Sequence, residues 1–156
     1  MTPNIGIADK DRAAVVDILN ALLADEFLLY VKTRNYHWNV AGPQFSELHR
    51  FFQEQYEALD EVVDEVAERA RTLGGRALGT LAEFAQHARL KERPGERPDA
   101  RAMLADLLAD HEALVRQLRT DQEVVLQRGD AGTNDFLVGL MEKHEKTAWM
   151  LRAFLA

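Results

Sequence analysis

A chain of 156 residues, 47% hydrophobic and 29% charged, can bury one respectable core but not two, so a single domain over 1–156 is expected. Its 19 Lys and Arg against 26 Asp and Glu leave a formal charge of -7, which repels phosphate backbones and attracts cations. There is no cysteine, which excludes disulfides and thiolate metal sites and restricts any metal to oxygen and imidazole ligands.

The opening MTPNIGIADKDR lacks a basic segment followed by an apolar core, and no apolar run approaches the ~20 residues of a membrane span. No membrane association and a cytoplasmic location are therefore expected, with residues 1–8 as a short flexible N-terminal segment. From about Asp9 to Tyr36, the residues Val15, Ile18, Leu19, Leu22, Leu23, Phe27 and Tyr30 recur every three or four positions, which predicts a first helix. Gly42-Pro43 breaks it, and Pro43 suits a first helical position because its missing donor would be unpaired there. A second helix follows to about Leu73 on the seam Phe45, Leu48, Phe52, Leu59, Val63 and Val66, and stops at Gly74-Gly75.

The Thr80-Leu81-Ala82-Glu83 pattern of a capping box predicts a short helix within the next connection. ERPGERPD reads as a linker, and Asp99 as the N-cap of a third long helix carrying Met103, Leu107, Leu114 and Leu118, to about Arg128. RGDAGTND separates it from a fourth, lined by Phe136, Leu140, Met141, Ala148, Leu151 and Leu155. The expectation is an all-α four-helix bundle, with a short helix in a long crossover between the second and third helices. Ferritin-like topology is one such arrangement.

Only five histidines occur, and two of them flank the Gly-Pro corner in YHWNVAGPQFSELHRFFQEQ. His37 lies five residues before Gly42 and His49 six after Pro43, so an antiparallel hairpin sets both rings at nearly one height. Helical rotation groups His49, Gln53, Asp60, Asp64 and Glu68 beside the apolar seam, with Asp64 and Glu68 stacked one turn apart. These are donors that iron, manganese and zinc accept. Yet fifteen residues separate His49 from Asp64, roughly 22 Å along a helix at its standard rise. If these groups share a site, an antiparallel second copy must supply the acids, giving two identical sites in a two-fold dimer. A di-iron site within one bundle would call for Glu-x-x-His on two helices, and the chain contains none.

NYHWNVAGPQFSELHRFFQEQY, with VDEVAERARTLGG and the ending TNDFLVGLMEKHEKTAWMLRAFL, resembles the Dps family, ferritin-like mini-ferritins also called DNA-binding proteins from starved cells. The resemblance covers nearly the whole chain. It implies a dodecameric shell that oxidises Fe(II), usually preferring hydrogen peroxide, and stores the ferric product inside. By position it implies His37 and His49 as metal ligands and catalytic residues from one subunit, and Asp64 and Glu68 from another, with two iron positions per intersubunit site. It also suggests Asp130, Asp135, Glu142 and Glu145 as linings of an iron entry pore.

Two departures qualify this. Gln53 stands where the family usually has Asp or Glu; an amide oxygen coordinates weakly or holds a water, so a weaker second iron position is expected. Residues 1–12 balance Lys10 and Arg12 against Asp9 and Asp11, so no basic tail is available and weak or absent DNA binding is expected. The competing readings are a nucleoid-associated, DNA-protecting shell with little ferroxidase activity, and a metal-sequestering assembly with a degraded site. Trp38 reads as packing at a subunit contact and Trp149 as core or interface. His87, His111 and His144 have no partner at ligand spacing and read as structural.

Overall fold

The computed structural model describes residues 2–156, with α1 over Asp9–Asn39, α2 over Phe45–Thr72, α3 over Leu81–His87, α4 over Ala100–Gln127 and α5 over Ala131–Leu155. α1 packs along α2, and α4 along α5, as two hairpins that close on a common core. Leu19, Leu22, Leu48, Phe52, Leu114, Leu118, Leu137 and Leu140 are buried there, so the predicted seams of the four long helices face inward, except that Phe45, at the very start of α2, is exposed. Truncating one of these leucines to alanine costs about 2–5 kcal/mol.

The predicted bundle with its extra short helix is what the chain forms, and three boundaries differ in detail. α1 runs past Tyr36 to Asn39, so His37 sits in its last turn. Pro43 is not the first helical residue: Gly42, at φ 111°, turns the chain, Gln44 takes the N-cap position without a side-chain hydrogen bond, and the helix starts at Phe45. α5 begins at Ala131, inside the expected linker, because the Asp130 carboxylate accepts the Thr133 backbone N–H and opens the helix there.

The crossover is tied down by charges. Asp25 of α1, almost fully buried, accepts the backbone N–H groups of Arg89 and Leu90 at 2.6 and 2.9 Å and the Arg89 Nε at 2.6 Å. Arg89 reaches on to Asp121 of α4 at 3.0 Å, so one guanidinium fixes the connection against both hairpins. The capping box at α3 is present, and hydrogen bonds from Arg76, Gly79 and Thr80 hold the Glu83 carboxyl down to about 2. At Gly75 the backbone passes so close to Val16 that a Cβ would lie 2.4 Å from its methyl carbon, so only glycine fits.

Of the segment 1–8, Met1 lies outside the described residues. In the remainder, the Pro3 ring lies over Gly74, and the Ile7 carbonyl accepts an N–H from the buried Arg12 at 2.9 Å.

Candidate metal centre

The α1–α2 corner brings the two histidines into face contact, their ring centroids 3.8 Å apart and 19° from parallel. His37 Nδ1 donates to the His49 carbonyl at 2.7 Å, and His49 Nδ1 donates to the His37 carbonyl at 2.9 Å. A carbonyl can only accept, so both Nδ1 atoms carry the proton and both Nε2 atoms keep a lone pair for a metal. This backbone clamp fixes ring orientation as outer partners of metal-bound histidines do. Phe45 stacks on the other face of His49 at 5.1 Å, and Tyr56 meets His37 edge-on at 5.2 Å.

Asp64 and Glu68 are exposed on the same unbroken α2, far down the rod from His49. The neighbouring cations are engaged elsewhere: Arg69 binds Asp130 and Thr133, and Arg71 donates to the Gly75 carbonyl. Two carboxylates one turn apart therefore face solvent with no ion pair among the described residues, and their mutual repulsion favours a bound cation. Among the described residues, no three His, Asp or Glu side chains gather at one point of the single chain.

Gln53 turns its amide nitrogen to Glu57 at 2.8 Å. The sequence pattern gives Glu57 no prominence, although it lies two turns from His49 on the same face and brings a negative charge beside the amide. Of the four acids suggested for a pore, Asp130 is buried and occupied as the α5 cap and the partner of Arg69. Asp135 and Glu142 are exposed, and Glu145, also exposed, pairs with Arg119. Trp38 is exposed beneath the Arg34 guanidinium, 5.1 Å from its ring. Trp149 is also exposed, so it is not core within the chain.

His111 and His144, which read as structural with no partner at ligand spacing, are each other's partner across α4 and α5. Their Nδ1 atoms meet at 2.9 Å inside the bundle, and His144 Nε2 contacts Glu26 of α1 at 2.8 Å. Burial, and then the neighbouring His144, hold the His111 pKa well below its usual value, so this imidazole stays neutral. Counting residues on either side of a turn, which pairs His37 with His49, also brings this pair to within a helical turn of one height, eighteen residues before Gly129 and fifteen after it.

The fold and its histidine corner define a ferritin-like protein. The Ferritin family model, a ferritin-like domain, matches residues 16–156. A low temperature-induced protein of Nostoc is 51% identical over 156 residues, spanning 97% of this chain and 86% of that one. DNA protection during starvation protein 2 of Bacillus anthracis is 37% identical over 142 residues, spanning 90% and 96%. The crystal structure of Dps from Vibrio cholerae, described as a member of the ferritin-like diiron-carboxylate proteins, superposes with a TM-score of 0.93 at 34% identity over 99% of this chain and 97% of that one. The chain belongs to the Dps family of ferritin-like proteins.

Proposed function

We propose that this protein is a ferroxidase and iron store, working at sites shared between antiparallel subunits. His37 and His49 of one subunit and Asp64 and Glu68 of another take up Fe(II) as substrate. Two ferrous ions give one electron each to hydrogen peroxide, the preferred oxidant, and its O–O bond breaks as two protons from solvent are taken up, giving two ferric ions and two waters without releasing hydroxyl radical. Imidazole and carboxylate donors favour Fe(III) over Fe(II), which helps the oxidation. The ferric product is stored inside a dodecameric shell in the cytoplasm.

The observation that carries this reading is the reciprocal clamp at the α1–α2 corner, which leaves two oriented imidazole lone pairs that nothing in the fold uses. The free, exposed acids at the far end of α2 supply the complementary half. The exposed acids Asp135, Glu142 and Glu145 would draw Fe(II) toward the shell, whereas the capping role accounts for Asp130. DNA is a weak partner or none, because the formal charge is -7 and no basic tail offsets it.

The test adds Fe(II) anaerobically and then peroxide, following oxidation in the native protein and in His37→Ala and His49→Ala. Each variant should oxidise at least about tenfold more slowly and keep less iron in solution, in line with losing a positioned ligand. Equal rates and equal soluble cores would remove the proposal.

A further inference from the structure

A second group of chemistry-bearing side chains lies inside one subunit, away from the corner. Glu26 of α1 is wholly buried, and its Oε2 has no hydrogen-bond partner. Its Oε1 contacts His144 Nε2 at 2.8 Å, and since a carboxylate accepts, this nitrogen carries the proton. The other face of the same imidazole points its Nδ1 at His111 Nδ1, 2.9 Å away, so a single proton can occupy the gap between them. Three helices thus converge on a buried carboxylate–histidine–histidine chain. An orphaned carboxylate oxygen there is costly unless a positive charge sits nearby.

The chain is not sealed. α2 and α5 barely touch, and between them runs a cleft of about 260 Å³ walled by Leu59, Val62, Thr147 and Met150, with His111 and His144 at its floor. The pair therefore has a route to solvent that the core leucines lack.

The geometry points to a mononuclear binding site for an imidazole-seeking divalent cation, zinc foremost, held between His111 Nδ1 and His144 Nδ1 within a single subunit. The cation replaces the proton shared by the two rings. The rings now meet nearly end-on, their centroids 5.1 Å and their Nδ1 atoms 2.9 Å apart; metal–nitrogen bonds of about 2.0–2.1 Å at a tetrahedral angle set the nitrogens about 3.3 Å apart, so the rings must separate by about 0.4 Å and tilt to aim both lone pairs at one cation. Glu26 stays on the far nitrogen of His144, where it fixes the tautomer and offsets the added charge, the usual outer partner of a metal-bound histidine. Three protein donors do not converge, because His144 uses opposite ring nitrogens for its two contacts. Water from the cleft completes the coordination. Iron(II) competes less well, since nitrogen donors bind zinc more tightly than ferrous iron, and the site is independent of the iron chemistry proposed at the corner.

The site lies apart from that corner: Glu26 is eleven residues before His37 on α1, roughly 16 Å along the helix. Crystals of the unmodified protein soaked in zinc and measured at the zinc absorption edge should show an anomalous peak between His111 and His144, resolved from any peak at His37 and His49. In solution, His37→Ala/His49→Ala protein should still bind about one zinc per subunit. Adding Glu26→Gln, nearly isosteric and relieving a buried charge, should weaken that zinc about 10- to 100-fold. His144→Gln should abolish it. No peak between the rings in the unmodified crystal, or zinc binding in the double variant unmoved by Glu26→Gln, would overturn the site.

Discussion

The two histidine pairs are built on the same plan and turned to opposite ends. Each sits at matched height across a hairpin, His37 with His49 about the Gly42 corner and His111 with His144 about the Gly129 turn. At the corner both Nδ1 protons go to backbone carbonyls, so neither ring depends on a side chain and both outer nitrogens remain open. In the bundle the rings consume each other and Glu26, and the pair becomes part of what holds three helices together. A histidine pair satisfied by the backbone thus keeps its outer nitrogens open in the resting fold, whereas a pair satisfied by side chains stabilises the bundle and must give up a shared proton before it can take a metal.

That contrast can be broken by truncation. His144→Ala leaves Glu26 buried with no partner, so it should cost about 3–5 kcal/mol in urea unfolding. His49→Ala removes one hydrogen bond and some stacking at a partly exposed corner, so about 1 kcal/mol is expected. Similar losses for the two would erase the distinction.

Acid sharpens it. The His111 pKa in the fold is held well below its usual value, so the unfolded chain takes up a proton first as pH falls. The stability tied to the neutral imidazole is complete above about 6.5 and drains away below it, by up to about 1.4 kcal/mol per pH unit. In chelator-treated protein, thermal midpoints from about pH 7.5 to 5 should fall less steeply for His111→Gln than for the native chain. Parallel curves would contradict the buried, neutral ring.

A smaller effect concerns the amide in the corner. Gln53→Asp should tighten the weaker Fe(II) position on the order of tenfold, about 1.4 kcal/mol, in anaerobic titration. It should also cost about 0.2–0.5 kcal/mol of stability, because the introduced carboxylate would face Glu57 across one turn. An unchanged second binding step would place this position outside the site.

Much of this is legible in the residues alone. Apolar periodicity marks all four long helices, and Thr80, Glu83 and Asp99 mark two helix starts, because those signals act within one turn. Helix rise shows that one chain cannot join His49 to Asp64, a conclusion needing only an unbroken α2. What escapes depends on contacts between distant segments. Pro43 misleads because the Gly42 turn, rather than proline's own preference, sets where α2 begins. Asp130 looks like a surface acid until its cap and Arg69 come into view. Glu26 in α1, 85 residues from His111 and 118 from His144, carries no local mark of its burial.

In the proposed arrangement the imidazoles and acids of one centre come from different subunits, and mixing subunits tests this. His37→Ala/His49→Ala chains and Asp64→Asn/Glu68→Gln chains should each be inactive alone. Co-assembled in equal amounts, every mixed dimer regains one intact site of two, so Fe(II) oxidation should return to about a quarter of the native rate. A co-assembled shell, verified to contain both chains, that stays as slow as its parents would contradict the account.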